Sequence, residues 1–259
     1  MSLLQVVDVD VRFGGVHAVQ EVRLEAEAAR VTGLIGPNGA GKTTLFNVIT
    51  GLQEPTAGRV KFDGRDITDV RPHKRARLGM ARTFQRLEVF GSLTARENVL
   101  VAAEIRKSWS SDGSNPRAVT EEILDRVGIR EVADDRVDSM PTGMARLVEL
   151  GRALATNPRL VLLDEPGSGL DQQESDALGR LLIDLADDGL AVLLVEHDVE
   201  LVMHVCHLVY VLDFGRIIAL GTPAQVQADP RVQAAYLGSE EGLEDIEAAA
   251  LADEGVDNR

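Results

Sequence analysis

Hydrophobic and polar positions alternate with a period of two at the start of the chain. Val7, Val9, Val11 and Phe13 fall on one face, and Asp8, Asp10 and Arg12 on the other. A second alternation sets Val22, Leu24, Ala26 and Ala28 against Glu21, Arg23, Glu25 and Glu27. This is the pattern of half-buried strands, and two of them joined through Gly14-Gly15 predict an antiparallel sheet. Val60 and Phe62 alternate once more before the turn signal Asp63-Gly64. Elsewhere the strands are short continuous apolar runs: Val31–Ile35, Leu160–Leu163 and Ala191–Val195. Such runs, alternating with helices, predict a parallel sheet covered on both faces.

Helix starts are marked by Asp171 with Glu174, a capping-box pair, and by Thr222-Pro223, an N-cap followed by proline. From Thr94 to about Ile129 the pattern is helical, interrupted by a loop over Lys107–Pro116. The expected fold class is α/β with a mainly parallel sheet, an N-terminal antiparallel β-subdomain and an inserted α-helical subdomain. A single domain is expected over residues 1–238, its core built from 1–85 and 151–238 and its helical insert from 86–150. No internal repeat is evident.

Composition narrows the classes. The chain has 259 residues, 44% of them hydrophobic, which is enough to bury a core without staples and excludes wholesale disorder. One cysteine, Cys206, excludes a disulfide framework and a multi-cysteine zinc site. Its apolar segment predicts a core residue. The net charge of −15 makes the surface a poor match for nucleic acid or anionic lipid. Residues 239–259 hold eight of the acids and one base, so an acidic tail supplies −7 of that charge. No apolar stretch approaches the roughly 18–20 residues that span a bilayer. The first residues, from Met1 to Asp8, carry no secretory-signal pattern, so a reduced, intracellular setting is expected.

Gly36-Pro37-Asn38-Gly39-Ala40-Gly41-Lys42-Thr43 fits the pattern G-x-x-x-x-G-K-S/T and lies between a buried strand and a helix, with Thr44 next. Small residues let backbone N–H groups close around phosphates, and the helix N-terminus adds positive potential. Lys42 can reach the outer phosphates, and Thr43 can ligate Mg²⁺. The alternative, a glycine turn with a chance Lys-Thr, is expected about once in a hundred chains of this length. Downstream, Leu160–Leu163 leads into Asp164, Glu165 and Pro166, so two carboxylates emerge at the end of a buried strand. Open parallel sheets bind ligands at that edge. Asp164 is suited to hold Mg²⁺ and Glu165 to polarise an attacking water, giving a P-loop ATPase core.

These motifs resemble those of the ATP-binding subunits of ABC transporters, over residues 3–238. The resemblance implies ATP and Mg²⁺ as ligands. It implies an aromatic ring under adenine at Phe13, where the residue pattern equally fits a strand core residue. Gln85, in Ala81-Arg82-Thr83-Phe84-Gln85, matches the family's glutamine that contacts Mg²⁺ and the attacking water. His197, after Val195-Glu196, matches the switch histidine at the γ-phosphate; His17, His73, His204 and His207 read as structural or exposed. Ser168–Asp171 resembles the loop that crosses to a partner subunit, with Asp171 at its end. The family's signature segment, typically Leu-Ser-Gly-Gly-Gln, departs here. Pro141, Thr142, Gly143 and Met144 stand in that place, so the contact made in trans leans on Gly143 and the helix dipole.

Arg82–Phe90, Leu93–Val99 and Asp229–Gly238 resemble the ATPases of branched-chain amino acid importers; urea and short-amide importers use similar subunits. The implied partners are a second ABC ATPase, identical or homologous, permease subunits docked near Gln85–Val99, and indirectly an extracytoplasmic solute-binding protein. No nucleic-acid partner is expected. The implied location is peripheral, on the cytoplasmic face of the cell membrane. Two other readings remain, a soluble non-transport ABC ATPase and a regulatory subunit with little hydrolysis. Asp213-Phe214-Gly215 spells a kinase triplet, but Val209–Leu212 and Ile217–Leu220 flank it as a hairpin. The basic cluster Arg71, Lys74, Arg75, Arg77 and Arg82 reads as a short solvated helix before Gln85, because no aromatic residues interleave it.

Overall fold

β1 (Ser2–Phe13) and β2 (Val16–Glu27) pair as the antiparallel hairpin that the alternation predicts. The computed structural model describes residues 2–237; the acidic tail 239–259 lies outside the described residues. The faces of β1 differ from the simple pattern. Asp8 adopts φ 50° and the register slips between Val6 and Val9. The bulge puts Val6, not Val7, on the buried face with Val9 and Val11, because one extra residue inverts every side chain before it. Phe13 is 49% exposed, and Ala28 lies beyond the end of β2, exposed.

β3 (Val31–Ile35) is buried throughout and leads through the glycine-rich turn into α1 (Lys42–Thr50). There follow β4 (Ala57–Phe62), β5 (Arg65–Asp66), α2 (Pro72–Arg77) and β6 (Met80–Arg82). Three helices come next: α3 (Ala95–Lys107), α4 (Pro116–Arg126) and α5 (Thr142–Ala155). The α/β alternation resumes with β7 (Leu160–Asp164), α6 (Gln172–Asp187), β8 (Ala191–Val195) and α7 (Val199–Val205). β9 (Leu208–Asp213), β10 (Arg216–Gly221), α8 (Pro223–Gln227) and α9 (Pro230–Leu237) complete the described chain.

Two sheets result. One is antiparallel, in the order β2-β1-β4-β5, and the other runs β10-β9-β3-β8-β7-β6. In the second, β9, β3, β8, β7 and β6 are mutually parallel and β10 is antiparallel to β9. The Asp213-Phe214-Gly215 segment is the hairpin turn between β9 and β10. Along β7, Val161 and Leu163 face a core shared with α3, α5 and α6, while Leu160 and Leu162 face one shared with α1 and the antiparallel sheet. Burial on both faces is why the parallel strands are apolar without alternation. The expected capping box of Asp171 with Glu174 forms on α6, and Thr222 caps α8 ahead of Pro223 as expected, with Gln225 completing a box there; Thr94 with Glu97 makes another on α3. Cys206 is buried, and burial pushes its thiol up to about 12.

The basic cluster is not uniformly solvated. Arg71, Lys74 and Arg77 are exposed, but Arg82 lies on β6 and Arg75 is 2% exposed. The Arg75 guanidinium donates to the carbonyls of Val48 and Ile49 in the last turn of α1, and to those of Val70 and Thr68, each at 2.7 Å. A helix C-terminus leaves carbonyls without partners, and a cation there meets both their lone pairs and the dipole. A side chain on α2 thereby fixes the far end of α1, whose near end carries the phosphate loop. Arg75→Ala leaves four carbonyls short of a donor. It is expected to lower the unfolding free energy by about 2–4 kcal/mol in urea titration, and a loss below about 1 kcal/mol would show that water replaces it.

Candidate active site

Three neighbouring parallel strands deliver the site. β3 ends at the phosphate loop, β7 at Asp164 and Glu165, and β8, which pairs with both, at Glu196 and His197. The loop is closed by glycines whose conformation and space both matter. Gly36 has φ 152°, and a Cβ there would lie 1.9 Å from the Leu212 carbonyl oxygen. Gly41, at φ 109°, caps α1, and a Cβ there would lie 2.5 Å from the Ala18 oxygen. Pro37, Asn38, Gly39 and Ala40 complete the turn, with Asn38 and Gly39 exposed. Lys42 folds back inside it, donating to the Gly36 oxygen and, at 3.1 Å, to that of Pro37. Burial pulls its ammonium below the ordinary lysine range, and Glu165 and Asp164 act in the opposite sense. Thr43 is exposed and Thr44 half-buried at the start of α1.

Opposite stand the carboxylates. Glu165 adopts φ 52°, a left-handed conformation costly for a non-glycine residue, held by its N–H on the Val195 oxygen at 2.8 Å. Its Oε2 accepts from Gln85 Nε2 at 2.9 Å and lies 3.9 Å from His197 Nδ1. Gln85, Glu165 and His197 thus converge, although they are far apart in sequence. Asp164 is 2% exposed and ion-paired: Arg82 Nη2 donates to its Oδ2 at 2.8 Å. Arg82 also donates to Asn47 Oδ1 on α1 at 2.7 Å and lies over the rings of Phe84 and Phe46, 4.9 and 5.5 Å from their centroids. Its guanidinium thereby ties β6, β7 and α1 together beneath the phosphate loop.

Thr43, Asp164 and Gln85 offer a hydroxyl, a carboxylate and an amide carbonyl, an all-oxygen donor set of the kind Mg²⁺ takes. In the loop they adjoin, Gly36 and Gly41 let the chain pass close to the Leu212 and Ala18 carbonyl oxygens, where a Cβ would clash, while Asn38 and Gly39 stay exposed. The donor chemistry fits a Mg-nucleotide.

The other expected residues lie apart from this cluster. Phe13 is at the exposed end of β1 and makes none of its contacts. Pro141 and Thr142 are exposed at the start of α5, which has no side-chain cap. Gly143 is buried against this chain's own Glu174, whose Oε1 lies 2.6 Å from where a Cβ would stand. Met144 is half-buried and packs onto the core shared by α5 and α6, which gives that unusual residue a physical role. Asp171 caps α6, its carboxylate accepting the Glu174 N–H at 2.8 Å.

Four residues of the site were not singled out from the sequence. Its sequence neighbours place Arg82 among solvated cations, whereas it lies at the end of β6 beside Thr83. Arg146 and Glu149, one helical turn apart on α5, hold the Gln85 segment. Arg146 donates to the oxygens of Gln85 at 2.7 Å and Phe84 at 3.0 Å. Glu149 accepts from the N–H groups of Phe84 at 3.3 Å and Glu88 at 3.2 Å. Burial raises the Glu149 carboxyl above its ordinary range, against these donors and Arg146. A glutamate on the apolar stripe of a helix is the pattern that reveals it. The fourth, Glu196, is wholly buried behind His197.

The ABC transporter family model matches residues 19–168, and a model described as branched-chain amino acid ATP-binding cassette transporter matches residues 216–242. The chain is 39% identical to the high-affinity branched-chain amino acid transport ATP-binding protein BraF of Pseudomonas aeruginosa, over 91% of this chain and 98% of that protein. It is 35% identical to the lipopolysaccharide export system ATP-binding protein LptB of Haemophilus influenzae, over 93% and 99%. Among solved structures it is similar to the ADP conformation of an ATP-binding cassette of an ABC transporter. There the TM-score is 0.81 and the identity 30%, covering 92% of this chain and all of the other. A strand-borne phosphate loop facing Gln85, Glu165 and His197, on this fold and with these relatives, makes the chain a member of the ABC transporter family, as an ATP-hydrolysing ATP-binding cassette.

Proposed function

We propose that this cassette powers a branched-chain amino acid importer, with Glu165 as the residue that activates water. The convergence of Gln85 and His197 on Glu165, across from Lys42, carries the catalytic reading. Gln85 occupies Oε2 of Glu165, which leaves Oε1 to accept a proton from water attacking the γ-phosphate. On nucleotide binding the Lys42 ammonium exchanges the carbonyls of Gly36 and Pro37 for phosphate oxygens. His197, 61% exposed, reaches the same phosphate from the end of β8. Thr43, Asp164 and Gln85 would hold Mg²⁺, which neutralises charge on the outer phosphates. Arg82 keeps Asp164 aimed. Phe13 offers a ring to adenine.

Cassettes of this family work as dimers with membrane permeases. Pro141, Thr142, Gly143 and Met144, with Asp171, are assigned to the face that closes over a partner's nucleotide, whether that partner is identical or homologous. A groove of about 440 Å³ between α2, the Gln85 segment and α3 is lined by Leu52, Phe84, Ile105 and Arg152, with Leu52 and Ile105 more than half exposed. It suits a permease helix, and the solute receptor outside the cell acts through that permease. Arg146 and Glu149 join the groove wall to Gln85, which links docking to hydrolysis. The helical unit, assigned to 86–150, continues structurally to Ala155 at the end of α5. Among the described residues no helix is long and apolar enough to cross a membrane, which suits a peripheral subunit on the cytoplasmic face. The match over residues 216–242 favours branched-chain amino acids over urea or short amides. The similarity to LptB supports an exporter as the second reading.

Three outcomes are expected. Glu165→Gln should cut phosphate release by at least about a hundredfold while ATP binding persists; turnover near wild type would remove Glu165 from its role. Arg82→Met should raise the Mg²⁺ concentration for half-maximal ATPase by about tenfold or more, and an unchanged Mg²⁺ titration would show that the ion pair is purely structural. In proteoliposomes holding the cassette with its permeases and receptor, leucine should stimulate ATP hydrolysis and be taken up. Stimulation by urea, or by lipopolysaccharide without leucine uptake, would replace the substrate assignment.

A further inference from the structure

The hydrolytic machinery described above leaves one buried carboxylate unused. Glu196 follows the last residue of β8, immediately before His197, and its side chain has no exposed surface. Burying a carboxylate without a matching guanidinium or ammonium is costly, so its partners matter. They are backbone N–H groups from two different loops. Oε1 accepts from Gly167 at 2.6 Å, in the loop that joins Glu165 to Asp171. Oε2 accepts from its own neighbour His197 at 3.2 Å, with the Asp198 N–H also turned toward the carboxylate. Burial raises the Glu196 carboxyl above its ordinary range, and these donors and His197 favour the charged form. The approach to Gly167 is close: a Cβ there would stand 2.9 Å from Oε1 and 3.4 Å from Leu201 Cδ2. Glycine is required here for space.

The imidazole completes the arrangement. His197 Nδ1 lies 3.8 Å from Glu196 Oε2 and 3.9 Å from Glu165 Oε2, so the ring stands between two carboxylates. One side chain therefore touches the backbone of the loop following the water-activating residue, the backbone of the histidine, and the space behind its ring. Only an acceptor-only group with two oxygens satisfies donors from both loops; an amide would turn an N–H toward one of them.

We propose that Glu196 is a positioning residue that clamps the loop 165–171 to the loop carrying His197, so that the histidine and the segment ending in Asp171 hold one geometry and move as a unit. Lys42 and the phosphate loop lie on β3 and α1, outside the clamp. Loss of the clamp should therefore cost turnover rather than ATP binding, because a displacement of about 1 Å at reacting groups can lower rates up to a hundredfold. The kinetic consequence rests on the ATPase reading above; the structural one does not.

The test uses the full chain with Glu196→Gln, Gly167→Ala and the double variant, read by amide hydrogen exchange and by ATPase kinetics. Each single variant should speed exchange at the amides of both 165–171 and 196–198 by about tenfold or more, with phosphate-loop amides unchanged within about twofold. Gly167→Ala thereby reports at His197 across the clamp, even where Glu196→Gln fails to fold. Each should lower kcat by about tenfold or more while KM for ATP stays within about threefold. The double variant should be no worse than the poorer single one, since both remove the same contact. Exchange confined to the mutated loop would overturn the proposal, as would multiplicative kinetic losses or a fall in ATP affinity matching the fall in kcat. A wild-type chain without ATPase activity would fail the functional reading and leave the exchange result to decide the clamp.

Discussion

Parallel strands all end on the same edge of a sheet, and the placement of this active site follows from that. β3, β8 and β7 lie side by side, each apolar on both faces. Neighbouring strands are about 4.8 Å apart, so groups leaving the ends of three adjacent strands fall within about 10 Å. The phosphate loop, the Asp164-Glu165 pair and His197 are brought together by this spacing, although Thr43 and Asp164 are 121 residues apart and Glu165 and His197 are 32 apart. The antiparallel sheet, α1 and the helical unit are arranged around it.

A hydrophobic sheet edge can hold charges only where each has partners. Arg82 meets Asp164, Asn47 and two aromatic rings. Arg75 meets four carbonyls, and Glu196 the N–H groups of two loops. Each of these buried charges has at least one partner on a different element or loop from its own. Removing such a group leaves unsatisfied polar atoms, a cost larger than the interaction's own net value. These residues thus join elements that hydrophobic packing alone would leave free to slide.

The same logic connects the helical unit to the site. Gln85 lies at a bend after β6, and Arg146 and Glu149 on α5 grip the backbone of its segment. A continuous chain of hydrogen bonds thus runs from α5 through the Gln85 segment to Glu165. The groove beside this segment shares Phe84 and Glu149 with the grip. In the proposed function, the docking groove and the hold on Gln85 therefore share side chains.

Much of this was legible in the chain itself. The buried runs Val31–Ile35 and Ala191–Val195 match β3 and β8 to the residue, since a continuous apolar run with flanking turn residues has few other uses. The capping boxes and the phosphate loop are local, and each needs only its own neighbours in sequence. The sequence alone therefore determined the alternation of elements, the phosphate loop and the carboxylate pair. What it left open depends on contacts made at a distance. Whether an arginine is solvated or buried, as with Arg77 against Arg75 and Arg82, is settled by the carbonyls and carboxylates that other elements bring to it. A one-residue bulge at Asp8 inverted the faces before it on β1, because period-two patterns carry no record of register. Glu196 looks like any surface glutamate until the Gly167 loop packs over it, and Glu149, although on an apolar stripe, has its partners supplied by the Gln85 segment. Tertiary structure alone decided these, since burial, and with it the chemistry of a charge, belongs to the assembled fold and not to the residue.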